Sequence, residues 1–366
     1  MNTPASAHRV YLDHASTSPL RPGVLDAMVP YLVEHQADPG RMHTEARMTR
    51  VAIESAREQV ATFLGARPRE VVFTSGGTEA INHAHRWVRG HVVTTAVEHS
   101  AVRDSISNAT PDITVVGVDR QGRVDPAEIT RSIRPDTVLV SVQLANHEVG
   151  TMQSLDFVRR TGVLLHVDAC AAVGNVPVGF RDLDVDLMSV TAHKLGGPKG
   201  VGALVVRRGV RIPSLILGGA QERARRAGIE NVPAIVGFGA AVSGLDIGAE
   251  ADSRRALTER AAAGVARIAD VERLGTGELP NILSLSVGGV EAEPVLLGLD
   301  QAGVAVHSGS ACSSESLEPS PVLAAMGVAA EHSLRVSVGW NSTTDDIDRF
   351  VIAFADVVSR LRALRT

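Results

Sequence analysis

Val71-Val72-Phe73-Thr74-Ser75-Gly76-Gly77-Thr78-Glu79 joins a short apolar run to a glycine pair and then to a helical pattern that begins near Thr78. An unbroken apolar run of this kind fits a strand buried on both faces. Similar runs recur at 92–95, 113–118, 138–144, 163–167, 185–190 and 201–206, with helical segments between many of them. Upstream, Val51, Ala52, Ala56, Val60 and Phe63 fall at helical spacing across 47–64, and Gly65 stops that helix. The alternation predicts an α/β fold, a large and mainly parallel sheet flanked by helices. The rhythm changes near 245–270. Residues 250–268 read as an Ala/Arg/Glu-rich helix, and 282–287 and 334–338 as strands of a smaller α+β domain. The expected division is a large domain over 16–247 and a small one built from 1–15 plus 248–366. No internal repeat or low-complexity segment stands out.

Composition narrows the function. The chain has 366 residues, enough for about two domains at roughly 150 residues each. It is 44% apolar and 21% charged, which supports a sizeable core and an ordinary surface. The 36 basic and 41 acidic residues give a net charge of −5, spread along the chain. Nucleic-acid binders and electrostatic membrane anchors carry basic patches instead. No apolar run reaches the roughly 18 residues of a membrane span, and residues 1–9 lack the apolar core of a secretory signal. Cys170 and Cys312 are the two cysteines, which excludes a disulfide scaffold and suits a reducing cytoplasm. They are well separated, and His83 and His85 are two apart on different helix faces, so no metal site is expected.

Several residues could carry chemistry. Thr191-Ala192-His193-Lys194-Leu195-Gly196-Gly197-Pro198 places a lysine between an apolar strand and a glycine-rich turn. Open α/β sheets bind ligands at that end of their strands. A lysine fixed and partly desolvated there gains the lowered pKa that imine chemistry needs, although a solvated loop lysine fits the same pattern. The 74–79 turn gathers backbone N–H groups at a helix start, as a phosphate site does, or as a plain turn capped by Thr78 does. Asp168 ends the run 163–167. A carboxylate there needs a partner, either a protonated pyridine nitrogen or the N-terminus of a following helix. Cys312 lies in Ser308-Gly309-Ser310-Ala311-Cys312-Ser313-Ser314, where a thiol is either a movable nucleophile or an incidental surface group. Cys170 reads as buried and structural. His99, in Val97-Glu98-His99-Ser100, either stacks on an aromatic cofactor and moves protons or is structural.

Together these motifs resemble the fold-type I pyridoxal-phosphate enzymes of the class V aminotransferase family, and within it the NifS/IscS-like cysteine desulfurases. The resemblance runs from Tyr11-Leu12-Asp13-His14-Ala15-Ser16-Thr17 to Leu334-Arg335-Val336-Ser337. Between them come Glu98-His99, Glu148-Val149-Gly150, His166-Val167-Asp168-Ala169, His193-Lys194, Gln221-Glu222-Arg223 and Ser310-Ala311-Cys312. The loop running into Leu317-Glu318-Pro319-Ser320 resembles the NifS/IscS group rather than the SufS group. The resemblance implies a cytoplasmic homodimer that uses pyridoxal 5'-phosphate to convert L-cysteine to L-alanine. A persulfide would form on Cys312 and pass to an acceptor protein. It implies that Lys194 holds the cofactor covalently and acts as a base, and that Asp168 pairs with the pyridine nitrogen. Gly77, Thr78, Thr191 and His193 would hold the phosphate, and His99 would stack on the ring and move protons. Arg335 would clamp the substrate carboxylate, with Asn146 also at the substrate. A selenocysteine lyase or another C–S lyase, and a non-catalytic scaffold of the same fold, are the alternatives. Iron–sulfur assembly, tRNA thiolation and dedicated biosynthetic pathways all remain open as destinations of the sulfur.

Four positions depart from the family pattern. His147 stands where an asparagine contacts the ring, and Ala171 where a glutamine bonds the ring hydroxyl. Ile229 replaces a threonine that reaches the neighbouring subunit's phosphate, and Asp38 replaces the asparagine before Pro39. Each lost neutral hydrogen bond costs about 0.5–1.5 kcal/mol net. Cofactor affinity is therefore expected to be lower than usual, with His147 replacing one contact.

Overall fold

The structure is a computed structural model that describes residues 9–155, 162–308 and 319–364. β1 (Val10–Tyr11) leads into α1 (Val24–Val33) and α2 (Thr44–Phe63). There follow β2 (Val71–Thr74), α3 (Gly77–His85), β3 (His91–Thr95), α4 (Ser100–Ala109), β4 (Ile113–Val116) and α5 (Pro126–Ser132). Next come β5 (Thr137–Gln143), β6 (Leu164–Asp168), β7 (Leu187–Thr191) and β8 (Gly202–Val206). Strands β2 to β8 form one seven-stranded sheet in the order β2-β8-β7-β6-β5-β3-β4. Neighbours are parallel except around β8, which runs antiparallel to both β2 and β7. The expected α/β class with a mainly parallel sheet is thus found, with one reversed strand. All five residues of β7 are buried, the polar Ser189 and Thr191 included, as its mainly apolar run predicts. Because β2 and β7 are each antiparallel to β8, β2 runs the same way as the parallel strands. The carboxyl ends of β2, β3, β5, β6 and β7 therefore share one edge of the sheet.

The chain continues through α6 (Gln221–Ala224), α7 (Val232–Val242), α8 (Ile247–Val265), β9 (Val271–Leu274), β10 (Ile282–Val287) and α9 (Ala292–Gln301). It then forms β11 (Val304–Ala305), β12 (His307–Ser308), α10 (Pro321–Ala325), β13 (Ser333–Ser337) and α11 (Thr344–Ala363). β12, β13, β10 and β9 make an antiparallel sheet in that order, and β1 pairs in parallel with β11. Leu283, Leu285, Leu334 and Val336 of this sheet share a core with Leu257, Phe350 and Phe354. A separate core beneath the large sheet includes Val167, Met188, Val190 and Phe238. Helix α2 lies close on α7, where Gly239 leaves room for Ala56: a side chain there would meet the Ala56 Cα at 2.9 Å.

One turn carries backbone strain. Glu222, Arg223 and Ala224 have φ of 48°, 60° and 61°, the left-handed region that L side chains disfavour. Glu222 is held there by a buried bidentate pair with Arg57, at 2.6 and 2.7 Å, and by the Phe73 N–H at 2.9 Å. Ala224 has no such tie, and its side chain is exposed. Ala224→Gly should raise the midpoint of chemical denaturation, with a gain of about 1 kcal/mol. A loss of stability would show that the turn relaxes without cost.

Candidate active site

The shared strand edge collects the candidate residues. Gly77 and Thr78 open α3 after β2, His99 follows β3, and His147 follows β5. Asp168 ends β6, Thr191 ends β7, and His193 and Lys194 come directly after it. All eight, with Arg335 of β13, line one cavity of about 440 Å³. Cys312 lies outside the described residues. Asn146, expected at the substrate, does not line the cavity. It is fully buried, and its Oδ1 accepts the Glu148 and Val149 N–H groups at 2.8 and 2.9 Å, while Nδ2 donates to Val97 O at 3.1 Å. Its amide is spent on holding the 146–150 turn.

One end of the cavity suits an anion. Helix α3 has no side-chain cap, so the Thr78 hydroxyl is not spent on capping the turn. The backbone N–H groups of that first turn stay open to a ligand. The Thr191 Oγ1 is buried with no hydrogen-bond partner among the described residues. A side chain at Gly77 would meet the Cys170 sulfur at 2.6 Å, so the backbone stays bare there. Glu79 on the same turn is occupied elsewhere, by the Ser75 N–H at 2.8 Å and by Arg226 at 2.9 Å. Burial, helped by Lys194 and Lys199, lowers the His193 imidazole to about 4.

At the middle of the cavity, Asp168 Oδ1 accepts the Cys170 N–H at 2.9 Å, and no described residue bonds its second oxygen. No helix directly follows β6, so the helix-capping reading of Asp168 is not met; its one bonded oxygen closes a turn instead. Cys170 is buried, as expected, and it also lines the cavity, 3.6 Å from Ser189 O. Burial pushes its thiol well above the ordinary range. The Lys194 amine is pulled down by burial. Its backbone is clamped from the N-terminal segment: Ser18 donates to His193 O at 2.8 Å and to Lys194 O at 3.2 Å. Arg21 donates to Leu195 O at 2.7 Å and pairs with both oxygens of Glu250 at 2.6 Å.

At the far end, Arg335 donates to Asp13 Oδ1 and Ser16 Oγ, each at 2.7 Å, and to His147 O at 2.9 Å. Its buried Nε has no partner among the described residues. Sequence reasoning missed Gln143, Glu148, Ser16, His307 and Ser308, which also line the cavity. Glu148, Ser16 and Ser308 sit inside the quoted motifs, which is the one signal that pointed toward them; nothing local marks Gln143 or His307.

Family membership follows from the order of these residues and from direct comparison. The aminotransferase class-V family model matches residues 10–350. The chain belongs to the class-V aminotransferase family. Its relatives within that family include the cysteine desulfurase IscS of Dictyoglomus turgidum, 41% identical over 97% of this chain and 96% of that protein. The cysteine desulfurase IscS of Methanosarcina thermophila is 38% identical over 96% of this chain and 93% of its own length. The crystal structure of a NifS-like protein from Rickettsia africae superposes with a TM-score of 0.89 at 30% identity, covering 96% of this chain and all of that one.

This class-V chain keeps its departures visible in the fold. Ala171 lines the cavity with no side-chain donor, and Ile229 is 65% exposed. Asp38 accepts the Gly40 N–H at 2.7 Å and pairs with Arg41. Among the described residues there is no cluster of three or more metal-ligating side chains, and no single helix is long and apolar enough to cross a membrane.

Beside the cavity, Glu98 is fully buried. Its Oε1 accepts from Thr95 Oγ1 at 2.6 Å and from the Gln143 N–H at 3.0 Å, while Oε2 has no partner among the described residues. Burial raises its carboxyl to about 8. A raised folded-state value stabilises the protein in full below the unfolded value near 4.5 and loses that contribution as pH climbs to about 8. Glu98→Gln keeps the Oε1 acceptor and removes the ionisation. The variant should gain on the wild type by on the order of 1.4 kcal/mol per pH unit across that window. Equal pH slopes in urea titrations of both proteins would contradict it.

Proposed function

We propose that the protein is a cysteine desulfurase that uses pyridoxal 5'-phosphate and places the sulfur of L-cysteine on Cys312. The observation that carries this reading is the single cavity in which Lys194, the open oxygen of Asp168 and the uncapped start of α3 converge. The names and extent of the relatives support it. The residues present fit the cofactor: an orphaned Thr191 hydroxyl and bare N–H groups for a phosphate, a carboxylate for a ring nitrogen, and an amine for a covalent link. Gly77, Thr78, Thr191 and His193 would hold the phosphate, Asp168 the ring nitrogen, Lys194 the carbonyl carbon, with His99 and His147 beside the ring. When bound, the cofactor supplies the electron sink that takes up the electron pair as the substrate C–S bond breaks.

The chain's own residues do the rest. Arg335, pre-oriented by Asp13 and Ser16, binds the substrate carboxylate. Lys194, freed from its link when substrate replaces it, accepts and returns protons at Nζ. The Cys312 thiolate attacks the substrate sulfur, so cysteine and an enzyme thiol become alanine and an enzyme persulfide. Delivery to an acceptor protein follows, and the enzyme works as a homodimer. Exposed Leu25, Val29, Leu32 and Val33 on α1, with Met48 and Val51 on α2, are an apolar face suited to a second copy. The two separate cores support a large domain near 16–247 and a small one from the remainder.

Cys312→Ala tests the sulfur step. The variant should keep its bound cofactor but lose about 10²-fold or more in alanine formation from L-cysteine. Undiminished alanine and sulfide release would mean a lyase that needs no enzyme thiol.

A further inference from the structure

The guanidinium of Arg335 is already partly engaged. Its fixed fork has only two edges that can hold both oxygens of a carboxylate. One edge is Nη1 with Nη2, the other Nε with Nη2, so both use Nη2. That nitrogen carries two hydrogens and already has two acceptors, Asp13 Oδ1 and Ser16 Oγ, each at 2.7 Å. On the first edge Nη1 is engaged as well, by His147 O at 2.9 Å. On the second edge Nε has no partner among the described residues. Arg335 is only 5% exposed, and a buried bare N–H is a donor that a carboxylate oxygen would satisfy. The edge suited to a ligand is therefore Nε with Nη2, and one acceptor must leave Nη2 before a carboxylate can use it.

The surroundings decide which one leaves. Asp13 is itself a carboxylate, and its charge-assisted bond to the guanidinium is roughly twice as strong as a neutral one. Its backbone is also bridged to Ser337 at the end of β13, next to Arg335 in the same strand. Ser16 lines the cavity and Asp13 does not, so a carboxylate entering from the cavity meets Ser16. Ser16 can yield at little cost. Its hydroxyl already donates to Asp13 Oδ1 at 2.9 Å, and it keeps that bond when it gives up the Arg335 hydrogen.

We propose that Ser16 is a placeholder for the substrate carboxylate. Before substrate enters, its hydroxyl oxygen holds the substrate's position on Arg335 Nη2. On binding, one carboxylate oxygen takes Nη2 from Ser16 and the other takes Nε, while Asp13 and His147 O keep the guanidinium in place. Ser16 thus competes with the carboxylate and sets how strongly the site prefers an amino acid to the matching amine. This inference rests on the reading of Arg335 as the carboxylate clamp.

The test measures binding to the full-length holoenzyme without turnover. The probes are L-alanine and ethylamine, which is alanine without its carboxylate, each titrated against the visible absorbance of the bound cofactor. Ser16→Ala should tighten L-alanine about three- to tenfold, the worth of one competing hydrogen bond, and should not tighten ethylamine. Ser16→Thr, which keeps the hydroxyl, should return L-alanine to the wild-type affinity. With L-cysteine as substrate, the Ser16→Ala gain should appear as a lower KM. An L-alanine affinity in Ser16→Ala that is unchanged or weaker overturns the proposal, because the hydroxyl then either stands aside from the carboxylate or helps to bind it. An equal gain for ethylamine overturns it as well, since the effect would not lie at the carboxylate. A wild type that binds ethylamine as tightly as L-alanine has no carboxylate clamp, and the proposal falls with it. A wild type that shows the expected pattern but forms no alanine from L-cysteine overturns the desulfurase reading alone, which separates the two failures.

Discussion

Lys194→Ala removes covalent cofactor retention and lowers alanine formation by at least about 10³-fold, since one side chain supplies both the link and a base. The geometry explains why no neighbour substitutes. Lys199, five residues on, is exposed and does not line the cavity, and the cavity's other nitrogen bases are imidazoles and the Arg335 guanidinium. The Lys194 backbone is pinned by Ser18 and its loop by Arg21, so the amine is delivered from one fixed point at the end of β7. Borohydride reduction followed by peptide mass analysis should find the cofactor on the peptide containing residue 194 in the wild type and nowhere in the variant. A variant that retains cofactor on another lysine, with activity above one-tenth of wild type, would contradict this assignment.

Acid unfolds the protein early, with stability falling from about pH 6.5 downward. Under the sheet, His85 and His166 are fully buried and share a hydrogen bond of 3.0 Å, with Ser105, Ser141 and Ser189 taking up their remaining contacts. Burial lowers His85 to about 3 and His166 well below its ordinary value. Both are neutral when folded and bind a proton below about 6.5 when unfolded, so the unfolded state takes up more protons in acid. Their stabilisation is complete above pH 6.5 and lost as pH falls toward the folded values. At pH 4.5 the His85 imidazole costs about 3 kcal/mol, and His166 and His14, the latter lowered to about 4, add to the effect. Glu98 works in the opposite sense over the same interval, but it is one group against two or more, so the acid loss prevails. Stability should peak near pH 6.5 to 7. His85→Gln should reduce proton uptake on unfolding at pH 5 by about one proton. An unfolding free energy that is flat between pH 7 and 4.5 would refute the buried-neutral assignment.

The parts of the molecule legible in the sequence are those written in contiguous residues. β6 and β7 are buried almost throughout, so each is a mostly apolar run interrupted by one polar residue, His166 or Ser189, and Asp168 at the end of one and Lys194 after the other inherit a place at the sheet's ligand edge. Direction is not written in such a run, which is why the reversal of β8 was invisible. Partners distant in the chain were equally hidden. Arg335 meets Asp13 across 322 positions, and His85 meets His166 across 81. Asn146 was assigned to the substrate because of its motif, yet its amide closes a turn, a role that only the backbone geometry reveals.

The account depends on sulfur moving from substrate to one named thiol. The full-length protein, loaded with pyridoxal phosphate and incubated with L-cysteine without reductant, should yield a Cys312 peptide heavier by one or more sulfur atoms. That mass should be removable by reductant and accompanied by alanine in at least equal amount. Alanine produced while the Cys312 peptide keeps its original mass would contradict the account.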